Sequence, residues 1–479
     1  MSAAAVSVSP IEHIVVDLDG TLVRTDTFIA CALEAVRRRP SCLFTLLAML
    51  LRGRALCKRA AAALGRIRVE ALPYNNQLIE YLREQRASGK HLILATGADE
   101  SIARAVADHL GIFEDVIGSD GARNVTGLEK LRAIRERLGH LPFTYVGNSR
   151  ADLQVWRGSQ AAILVAAPEA CASRLRREGI AVRREFEPSR IRWHALARCL
   201  RWHQWSKNVL VFVPIVLAHR IFDPSVISRA FAAFLAFSCC ASALYVVNDL
   251  LDLQADRLHP AKRRRPLAAG DVGILTGMLL AAAMILTAAG IVTLLPVAAR
   301  LLLLVYAASS LAYSLKLKRM LFLDVVTLAL LYALRLLYGG SATGIKISVW
   351  TLAFSLFLFA SLATVKRLAE LRRVAASASQ DYRGYREIDI NQLSSLAAAA
   401  GFVAVLVLAL YINSPEVTLL YRHAQGLWLL CPIFIYWIGR LTLIANRGHL
   451  DDDPVSFALR DRSTWITGTV AAAVLALST

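Results

Sequence analysis

"NDLLDLQADRLHPAKRRRP", residues 248–266, follows an apolar run that is long enough to enter a membrane. In an α-helix with about 100° between successive residues, its amide and acidic side chains fall within an arc of roughly 100°. These side chains are Asn248, Asp249, Asp252 and Asp256. Carboxylates one turn apart repel each other unless a positive charge lies among them, so an exposed helix end has no reason to align them. The segment therefore predicts a cation-binding face at the end of a membrane-spanning helix.

The composition favours a membrane protein. The 479 residues are 56% hydrophobic and include 55 Lys and Arg against 36 Asp and Glu, a formal charge of +19. This combination fits an integral membrane protein with cationic loops and argues against a nucleic-acid-binding protein. The eight cysteines have no metal-ligand spacing, which predicts reduced side chains in a cytoplasm-like compartment. The first residues lack the basic and apolar regions of a signal peptide, so none is expected.

Apolar segments recur from about residue 208 onward, and a helix of about 20 such residues crosses a bilayer. We expect about nine membrane-spanning helices, at roughly 208–222, 226–249, 274–296, 298–315, 321–339, 347–365, 393–413, 424–444 and 463–479. Lys and Arg concentrate in alternate loops, including 254–271 and 366–388. By the positive-inside rule, this predicts a protein of the cell (inner) membrane whose N-terminal part and basic loops face the cytoplasm.

The N-terminal part has a different pattern. Short β-rich strings ("HIVVDLDG", "HLILATGA", "FTYVGNS" and "AAILVAA") alternate with charged helical segments such as 76–88 and 128–138. This rhythm predicts an α/β domain with a doubly wound parallel sheet. We therefore expect an α/β domain over residues 1–185, a basic and aromatic linker helix at the membrane interface over 186–206, and an all-α polytopic membrane domain over 207–479.

The string "DLDGT", residues 17–21, directly follows the predicted strand "HIVV". Asp17, at the end of a strand, could attack phosphorus, and Asp19 could exchange the proton of the leaving oxygen. A Mg²⁺ ion and a cation would offset the phosphate charge. Thr96, Lys130 and Asp152 follow in chain order as candidates for these contacts.

This series of motifs resembles the haloacid dehalogenase-like phosphatase superfamily over residues 11–165. The resemblance implies a Rossmann-like fold with a helical cap, in which Asp17 is the nucleophile and Asp19 the acid and base. It also implies that Thr96 and Lys130 hold the phosphate and that Asp152 supports a Mg²⁺ ion near the two catalytic acids.

One position departs from that superfamily. Asn148 stands where its members usually have Asp, and an amide oxygen can bind Mg²⁺ but adds no charge. A non-catalytic docking or regulatory domain is therefore the alternative interpretation. The insertion at 24–75 contains "CLFTLLAMLL", which is too short to span a bilayer and predicts a cap helix or a membrane-contacting helix.

The opening segment has the residues of a diphosphate site. Asn248, Asp252 and Asp256, with Asp249 beside them, can hold Mg²⁺ against a diphosphate, because Mg²⁺ prefers oxygen ligands and commonly joins carboxylates to substrate phosphates. The cations that follow can neutralise the phosphate oxygens. They are Arg257, Lys262, Arg263 and Arg265. A basic loop that contacts anionic lipid is the alternative, but it leaves the aligned acids unexplained.

Other charged residues lie within or beside the predicted membrane helices, where they are functional candidates by default. Asp324 could bind a second Mg²⁺, and Arg335 could pair with Asp324 or with a phosphate. A purely structural ion pair is the alternative for these two residues. Lys316, Lys366 and Arg367 are further candidates for phosphate binding.

NDxxDxxxD followed by HPxKxxRP resembles the UbiA-type intramembrane prenyltransferase superfamily, as does "YSLKLKR" at 313–319. The superfamily's usual second DxxxD motif is absent, since Asp324 is followed by "VVTLALLYALR". The strings "WHQWSKNVLVFVPIVLAH", "VKRLAEL" and "DDPVSFALRDR" are similar instead to the decaprenyl-phosphate phosphoribosyltransferase branch.

That branch implies transfer of 5-phosphoribose from phosphoribosyl pyrophosphate to a polyprenyl phosphate, with Mg²⁺ as cofactor. The phosphatase-like domain would then remove the 5-phosphate from the product. Transfer of a prenyl group from a prenyl diphosphate to an aromatic or other small acceptor is the alternative. A third possibility is a non-catalytic membrane anchor for a regulatory domain. The sequence does not predict the oligomeric state.

Overall fold

The computed structural model describes residues 12–186, 193–375, 384–415, 417, 421, 423–450, 454–458 and 460–478. The chain divides into two compact units. The first comprises Met1–Arg201 and Tyr245–Ala282, and the second comprises Trp202–Leu244 and Ala283–Thr479. The acidic segment 248–266 therefore belongs to the same unit as the N-terminal α/β part of the chain.

A parallel six-stranded sheet lies at the centre of the first unit, in the order β3-β2-β1-β4-β5-β6. The strands are β1 His13–Val16, β2 His91–Asp99, β3 Asp115–Ser119, β4 Phe143–Gly147, β5 Ala161–Val165 and β6 Ala181–Phe186. Strand β1 lies between β2 and β4, so the carboxyl ends of these three strands meet at one edge, where α/β folds bind ligands. The predicted parallel sheet is confirmed, with β3 and β6 as additional strands.

Twenty α-helices occur among the described residues. In chain order they are α1 Thr27–Arg38, α2 Cys42–Arg52, α3 Arg54–Gly65, α4 Asn76–Ala87, α5 Glu100–Leu110, α6 Leu128–Leu138, α7 Leu153–Arg157, α8 Glu169–Arg177, α9 Trp193–Leu200, α10 Val213–Leu217, α11 Pro224–Leu251, α12 Leu253–Leu258, α13 Ile274–Val292, α14 Val297–Leu315, α15 Leu323–Thr343, α16 Val349–Ala375, α17 Ile390–Ile412, α18 Leu430–Asn446, α19 Pro454–Ala458 and α20 Arg462–Ser478. The predicted helical segments 76–88 and 128–138 correspond to α4 and α6.

Helices α1, α2 and α3 form the helical cap predicted for the insertion at 24–75. Helix α1 starts where the side chain of Asp26 accepts a hydrogen bond from the N–H of Ile29. Within the first unit, Ala30 of α1 belongs to the same buried apolar cluster as Leu250 and Leu267. The cap is therefore packed against the part of the chain that carries the acidic segment.

Among the described residues, seven helical segments are long and apolar enough to cross a membrane. They are α11, α13, α14, α15, α16, α17 and α18, the last two with the 3₁₀ turns that precede them. The first predicted span, 208–222, is instead a 3₁₀ segment, Trp202–Phe212, followed by the five-residue α10, because Pro214 cannot continue a helix from the residues before it. The last predicted span is α20, which has 17 residues.

Residues 187–192 of the predicted linker helix lie outside the described residues. Of the rest, Phe186 ends β6, and α9 is followed by the start of the 3₁₀ segment Trp202–Phe212. The two acids that begin "DDPVSFALRDR", Asp452 and Asp453, also lie outside the described residues.

Candidate active sites

Asp17 and Asp19 lie on the loop that leaves β1. The N–H of the buried Asp17 donates to the carbonyl of Val146 in β4 at 3.0 Å. The loop turns at Gly20, whose φ of +75° is a left-handed conformation that favours glycine. A Cβ at Gly20 would lie 2.1 Å from Nδ2 of Asn148, so this glycine also lets Asn148 approach the loop. The predicted residues of the loop and of the turn after β4 are thus brought together.

Lys130, on α6, supplies the positive charge beside this loop. Its Nζ donates to Oδ1 of Asp17 at 2.8 Å, to the hydroxyl of Tyr145 at 2.9 Å and to Oδ1 of Asp152 at 3.4 Å. The Tyr145 hydroxyl donates to the same oxygen of Asp152 at 2.8 Å. All four side chains are buried. Lys130 is therefore held by side chains from two neighbouring strands, β1 and β4, and from the turn that follows β4.

Asp152 is bonded through both of its carboxylate oxygens. While Oδ1 faces Lys130 and Tyr145, Oδ2 accepts from the N–H groups of Asn148 and Ser149 and from the Ser149 hydroxyl, at 3.2, 3.0 and 2.9 Å. These bonds fix the orientation of Lys130 and the turn that carries Asn148. In this arrangement Asp152 positions the candidate metal ligand Asn148 rather than presenting a free oxygen of its own.

Burial perturbs the ionisation of this cluster. It raises the pKa of Asp17 to about 6, although Lys130 opposes the shift, and it raises the pKa of Asp19 to about 7, with a contribution from Asp26. Burial alone would lower the pKa of Lys130, but attraction to Asp17 and Asp152 outweighs it and raises that pKa. For Asp152 the effect of burial is outweighed by Lys130 together with the hydrogen bonds from Tyr145 and Ser149, so its pKa is lowered. A single lysine thus faces several buried acids.

Two further groups lie at the end of β2. Thr96 is fully buried, and its hydroxyl accepts from the N–H of Ala98 at 3.0 Å. Lys58, from the cap helix α3, donates to the carbonyl of Gly97 at 2.5 Å and to Oδ1 of Asn124 at 2.8 Å. Burial lowers the pKa of Lys58, and the negative charge of Asp19 opposes that shift. The cap therefore brings a second cation to the carboxyl edge of the sheet.

The acidic segment continues the helical path of α11. Although α11 ends at Leu251, the N–H of Asp252 donates to the carbonyl of Asn248 at 2.9 Å, and the N–H of Asp256 donates to the carbonyl of Asp252 at 2.8 Å. Asn248, Asp252 and Asp256 are therefore spaced one helical turn apart, as the sequence predicts.

Arg265 joins two acids of this segment. Its Nη1 donates to Oδ1 of Asp249 at 2.9 Å and to Oδ2 of Asp256 at 2.6 Å, and Asp249 also accepts from Arg201 at 2.5 Å. Both aspartates are buried, and burial raises the pKa of Asp256 although Arg265 opposes the shift. The positive charge of Arg265 between the two carboxylates offsets the repulsion that their alignment would otherwise cause.

Arg257 contacts a different part of the same unit. It is 6% exposed, and its Nη2 donates to Oγ1 of Thr25, close after "DLDGT", at 3.2 Å. Its Nε and Nη1 have no hydrogen-bond partner among the described residues, nor do the side-chain nitrogen and oxygen of Gln254. Burial lowers the pKa of Arg257 to about 10. The other predicted cations of this region, Lys262 and Arg263, are half-buried and exposed, respectively.

In the second unit, Asp324 belongs to a buried ion-pair network. Arg367 donates through Nε to Asp324, through Nη1 to Glu370 and through Nη2 to the hydroxyl of Tyr313 at 2.7 Å. Tyr385 donates to the other carboxylate oxygen of Asp324 at 2.7 Å. The side chains of Asp324 and Arg367 are each 1% exposed. Both oxygens of Asp324 are thus bonded within the protein.

The ion pair that we considered between Asp324 and Arg335 is wrong. Both residues lie on α15, and their separation of 11 positions corresponds to about 16 Å along a helix axis. Arg335 instead donates through Nε to Oδ1 of Asn208 at 3.1 Å and through Nη1 to the carbonyl of Leu331 at 2.6 Å. Its guanidinium also packs against the rings of Phe237, Tyr306 and Tyr332, 4.9–5.3 Å from their centroids. Lys316 is exposed at the end of α14, and Lys366 is half-buried on α16.

The donor atoms fit Mg²⁺ only as a partly protein-bound ion. Among the described residues, no three side chains of His, Cys, Asp or Glu gather in the manner of a closed metal site. Oxygens are nevertheless available from Asp17 and Asn148 at the first site, and from Asn248, Asp252 and Asp256 at the second. Mg²⁺ commonly binds through one or two carboxylates and completes its shell with water and substrate phosphates.

An apolar cavity of about 190 Å³ lies in the second unit. Its walls include Leu336, Phe354, Leu408, Tyr421 and Leu475. Such a lining suits hydrocarbon rather than a charged group.

Three residues of these sites, Tyr145, Lys58 and Tyr385, belong to none of the sequence motifs. The buried strand "FTYVG" contains two hydroxyl side chains, Thr144 and Tyr145. A buried hydroxyl needs a hydrogen-bond partner, which is a usable signal for Tyr145. Lys58 and Tyr385 reach their partners through contacts far apart in sequence, so no local pattern marks them.

Comparison with known proteins shows that two regions of the chain match known protein families. Residues 209–462 match the UbiA prenyltransferase family, and residues 14–157 match the haloacid dehalogenase-like hydrolases. An uncharacterized protein of Sinorhizobium fredii, y4nM, is 35% identical over 473 residues, which cover 97% of this chain and 90% of that protein. The decaprenyl-phosphate phosphoribosyltransferase of Mycobacterium tuberculosis is 32% identical over 293 residues, which cover 58% of this chain and 94% of the mycobacterial protein.

Among solved structures, a UbiA homolog from Archaeoglobus fulgidus bound to GPP and Mg²⁺ is 18% identical, with a TM-score of 0.46 over 59% of this chain and 97% of that one. The UbiA match covers more than half of the chain, and the relative from S. fredii extends over almost all of it. The chain is therefore an integral membrane enzyme that belongs to the UbiA prenyltransferase family and carries a haloacid dehalogenase-like domain in its N-terminal part.

Proposed function

We propose that this enzyme transfers 5-phosphoribose from phosphoribosyl pyrophosphate to a polyprenyl phosphate of the decaprenyl type, and that its N-terminal domain then removes the 5-phosphate. The observation that carries the proposal is the presence of one acidic cluster, at Asn248, Asp252 and Asp256, while Asp324 is already paired with Arg367. Prenyltransferases of this superfamily use two acidic motifs, so a single one favours the other branch. The similarity to the mycobacterial phosphoribosyltransferase supports the same choice.

In the proposed transfer, an oxygen of the lipid phosphate forms a bond to C1 of the ribose. The bond from C1 to the pyrophosphate oxygen breaks, and pyrophosphate leaves with the bonding electrons. The lipid phosphate is already anionic at neutral pH, so no strong general base is required. A Mg²⁺ ion held by Asn248, Asp252 and Asp256 would supply Lewis-acid stabilisation of the leaving group.

The chain's cations have separate tasks in this proposal. Lys262, Arg263 and Arg265 neutralise pyrophosphate oxygens, and Arg265 also keeps Asp249 and Asp256 close together. Lys316 and Lys366 are assigned to phosphate binding on the second unit. Arg335, whose hydrogen-bond acceptors are neutral, adds positive potential to that unit, whereas the charge of Arg367 is offset by Asp324 and Glu370.

For the proposed hydrolysis, a carboxylate oxygen of Asp17 attacks the phosphorus of the 5-phosphate. The ester oxygen of the ribose leaves and takes a proton from Asp19, after which Asp19 accepts a proton from the water that cleaves the aspartyl phosphate. The pKa of Asp19, raised by burial to about 7, suits both steps near neutral pH. Lys130 and Thr96 hold the phosphoryl oxygens, and Asp17 and Asn148 would be the ligands of the Mg²⁺ ion.

Basic loops accompany both sites in sequence, so we assign both to the cytoplasmic face of the cell membrane. A product made at the acidic segment would then be accessible to the loop that carries Asp17 and Asp19 without crossing the bilayer.

The test uses the full-length protein in lipid nanodiscs with ribose-labelled phosphoribosyl pyrophosphate, decaprenyl phosphate and Mg²⁺. We expect the label to enter the lipid and phosphate to be released from the labelled lipid. Asp252→Asn should stop incorporation, whereas Asp17→Asn should permit it but stop phosphate release. Asp108→Asn, at an exposed acid of α5, is the matched control and should change neither.

Two outcomes would contradict the proposal. Incorporation from a labelled prenyl diphosphate into an aromatic acceptor, without use of the ribosyl donor, would establish the prenyltransferase alternative. A product that loses its 5-phosphate equally in the Asp17→Asn variant would remove the assigned role of the N-terminal domain.

A further inference from the structure

The cap helix α2 exposes an apolar surface. Of its eleven residues, only Cys42 and Leu46 are buried, whereas Leu43, Phe44, Leu47, Leu50 and Leu51 are between 47% and 91% exposed. Exposed apolar patches on a folded domain usually mark a surface that contacts a partner or a membrane. At about 1.5 Å per residue, α2 is roughly 16 Å long, so it cannot cross a bilayer but can lie in its surface.

Arginines lie at the end of this apolar surface. Arg52 and Arg54 flank the turn at Gly53 between α2 and α3, and neither forms an ion pair with a residue that the structure describes. Together with Arg59 they line a cavity of about 550 Å³. The opposite wall includes Asp120 and Asn124, from the loop after β3.

The charge of this cavity favours an anion. Its lining contains three arginines and one aspartate. The Asp120 carboxylate accepts from the N–H groups of Ala122 and Arg123, so it is held by its own loop. Arg59 is held in place because its Nη1 donates to the carbonyl of Asp120 at 2.8 Å. Arginine side chains arranged around a cavity suit phosphate oxygens, which accept forked hydrogen bonds.

The cavity lies next to the candidate hydrolase site. Asn124 in its wall accepts from Nζ of Lys58, and the same Nζ donates to the carbonyl of Gly97, directly after Thr96. Lys58 is also close enough to Asp19 for that carboxylate to influence its pKa. One lysine of α3 therefore contacts both the wall of the arginine cavity and the part of β2 that carries Thr96, a proposed phosphate ligand.

We propose that α2 lies in the membrane surface and that Arg52, Arg54 and Arg59 bind the phosphodiester of a polyprenyl-linked sugar phosphate. The terminal phosphomonoester of the same molecule would then reach Asp17. This inference rests on the proposed hydrolase function and specifies its substrate as a lipid-borne phosphomonoester, in preference to a free sugar phosphate. The apolar side chains of α2 contact acyl chains, and the cavity beside them receives the anionic link between lipid and sugar.

The position of α2 can be tested by spin labelling of the full-length chain in nanodiscs of phosphatidylcholine and phosphatidylglycerol. A nitroxide at Leu51→Cys should collide often with oxygen, which concentrates in hydrocarbon, and rarely with a water-soluble nickel chelate. Leu141→Cys, at an exposed leucine of the same unit, is the control and should show the reverse. The native cysteines are buried or half-buried, and the unsubstituted chain gives their background. Equal nickel accessibility at both labels would overturn the proposed position of α2.

The arginine cavity is tested by a comparison of two substrates. We expect Arg52→Gln with Arg54→Gln to raise KM for the lipid-linked substrate by at least about tenfold, because two charge-assisted contacts are lost, and to leave hydrolysis of free ribose 5-phosphate unchanged. Arg83→Gln, at an exposed arginine of α4, should alter neither. Equal effects on both substrates, or no effect on either, would overturn the assignment of the cavity.

The outcomes also separate this inference from the proposed function. A chain that hydrolyses the lipid-linked substrate while Leu51→Cys stays in water would retain the function and refute the membrane position. A chain that hydrolyses neither substrate while Leu51→Cys lies among acyl chains would refute the function and retain that position.

Discussion

Replacement of Lys130 by Met should lower the stability of the α/β domain around β4. The Lys130 ammonium lies 2.8 Å from a carboxylate oxygen of Asp17 and 3.4 Å from one of Asp152, and its side chain is 6% exposed. Removal of one partner from a buried ion pair typically costs about 3–5 kcal/mol, because the remaining charge stays buried without compensation. Burial raises the pKa of Asp17 to about 6, so this carboxyl can become neutral at modest cost. We therefore expect a loss of stability at the lower end of that range, about 3 kcal/mol.

Hydrogen exchange of the β4 backbone measures this loss locally, since exchange there requires opening of the strand. A loss of about 3 kcal/mol corresponds to roughly 150-fold faster exchange, at 1.4 kcal/mol per factor of ten. Mass spectrometry of peptides that cover Phe143–Gly147 gives the rate. The control is Lys90→Met, which breaks a pair with Glu12 at 2.9 Å in which both side chains are 25% exposed. A pair of that exposure contributes about 1 kcal/mol or less, so exchange should rise less than about tenfold.

The double variant Lys130→Met with Asp152→Asn should recover part of the lost protection, because only one buried acid then remains without a counter-charge. If Lys130→Met and Lys90→Met accelerate exchange equally, burial does not set the strength of this pair and the reasoning fails. No recovery in the double variant would show that lost packing, rather than uncompensated charge, causes the effect.

Three further predictions concern the acidic segment and the second unit. Arg367→Gln should destabilise the membrane helices by about 3 kcal/mol, because Asp324 remains buried without its counter-charge. Thermal unfolding in detergent measures this loss of stability, with Arg319→Gln as the exposed control. Equal melting temperatures for the two variants would contradict the prediction. Arg335→Lys should lower stability by about 1 kcal/mol or more, since an ammonium cannot reproduce both hydrogen bonds and the stacking of the guanidinium on three rings. Removal of divalent ions by a chelator should stop ribosyl incorporation and added Mg²⁺ should restore it; incorporation that persists in the chelator would exclude a role for the metal ion.

Sequence patterns predicted the parts of this protein that depend on local order. The strand "HIVV" followed by Asp17 and Asp19, and seven of the apolar helices, depend on neighbouring residues and were predicted correctly. The predicted span at 208–222 was wrong, because it is a 3₁₀ segment followed by a short helix. The same applies to the acidic face at Asn248, Asp252 and Asp256, since helical spacing is a local property. The roles assigned to these residues remain predictions.

Pairings between distant residues were harder to predict. Helical spacing alone separates Arg335 from Asp324, but the choice of Arg367 as the partner depends on how α15 and α16 pack, which a linear pattern does not contain. The burial of Arg257 beside Thr25 has the same origin, because the two residues are 232 positions apart. The grouping of residues 245–282 with the N-terminal unit likewise arises from long-range packing and has no sequence signal.

The packing of α1 determines whether the hydrolase domain can be separated from the rest of the chain. Ile29, Ala30 and Leu33 contact an apolar cluster whose other members include Leu250 and Leu267. A polypeptide truncated after residue 201 would lose the second group and expose the first to water, so we expect it to aggregate. A lineage that encodes the two domains as separate proteins therefore needs polar substitutions on α1 before the shorter protein can be soluble.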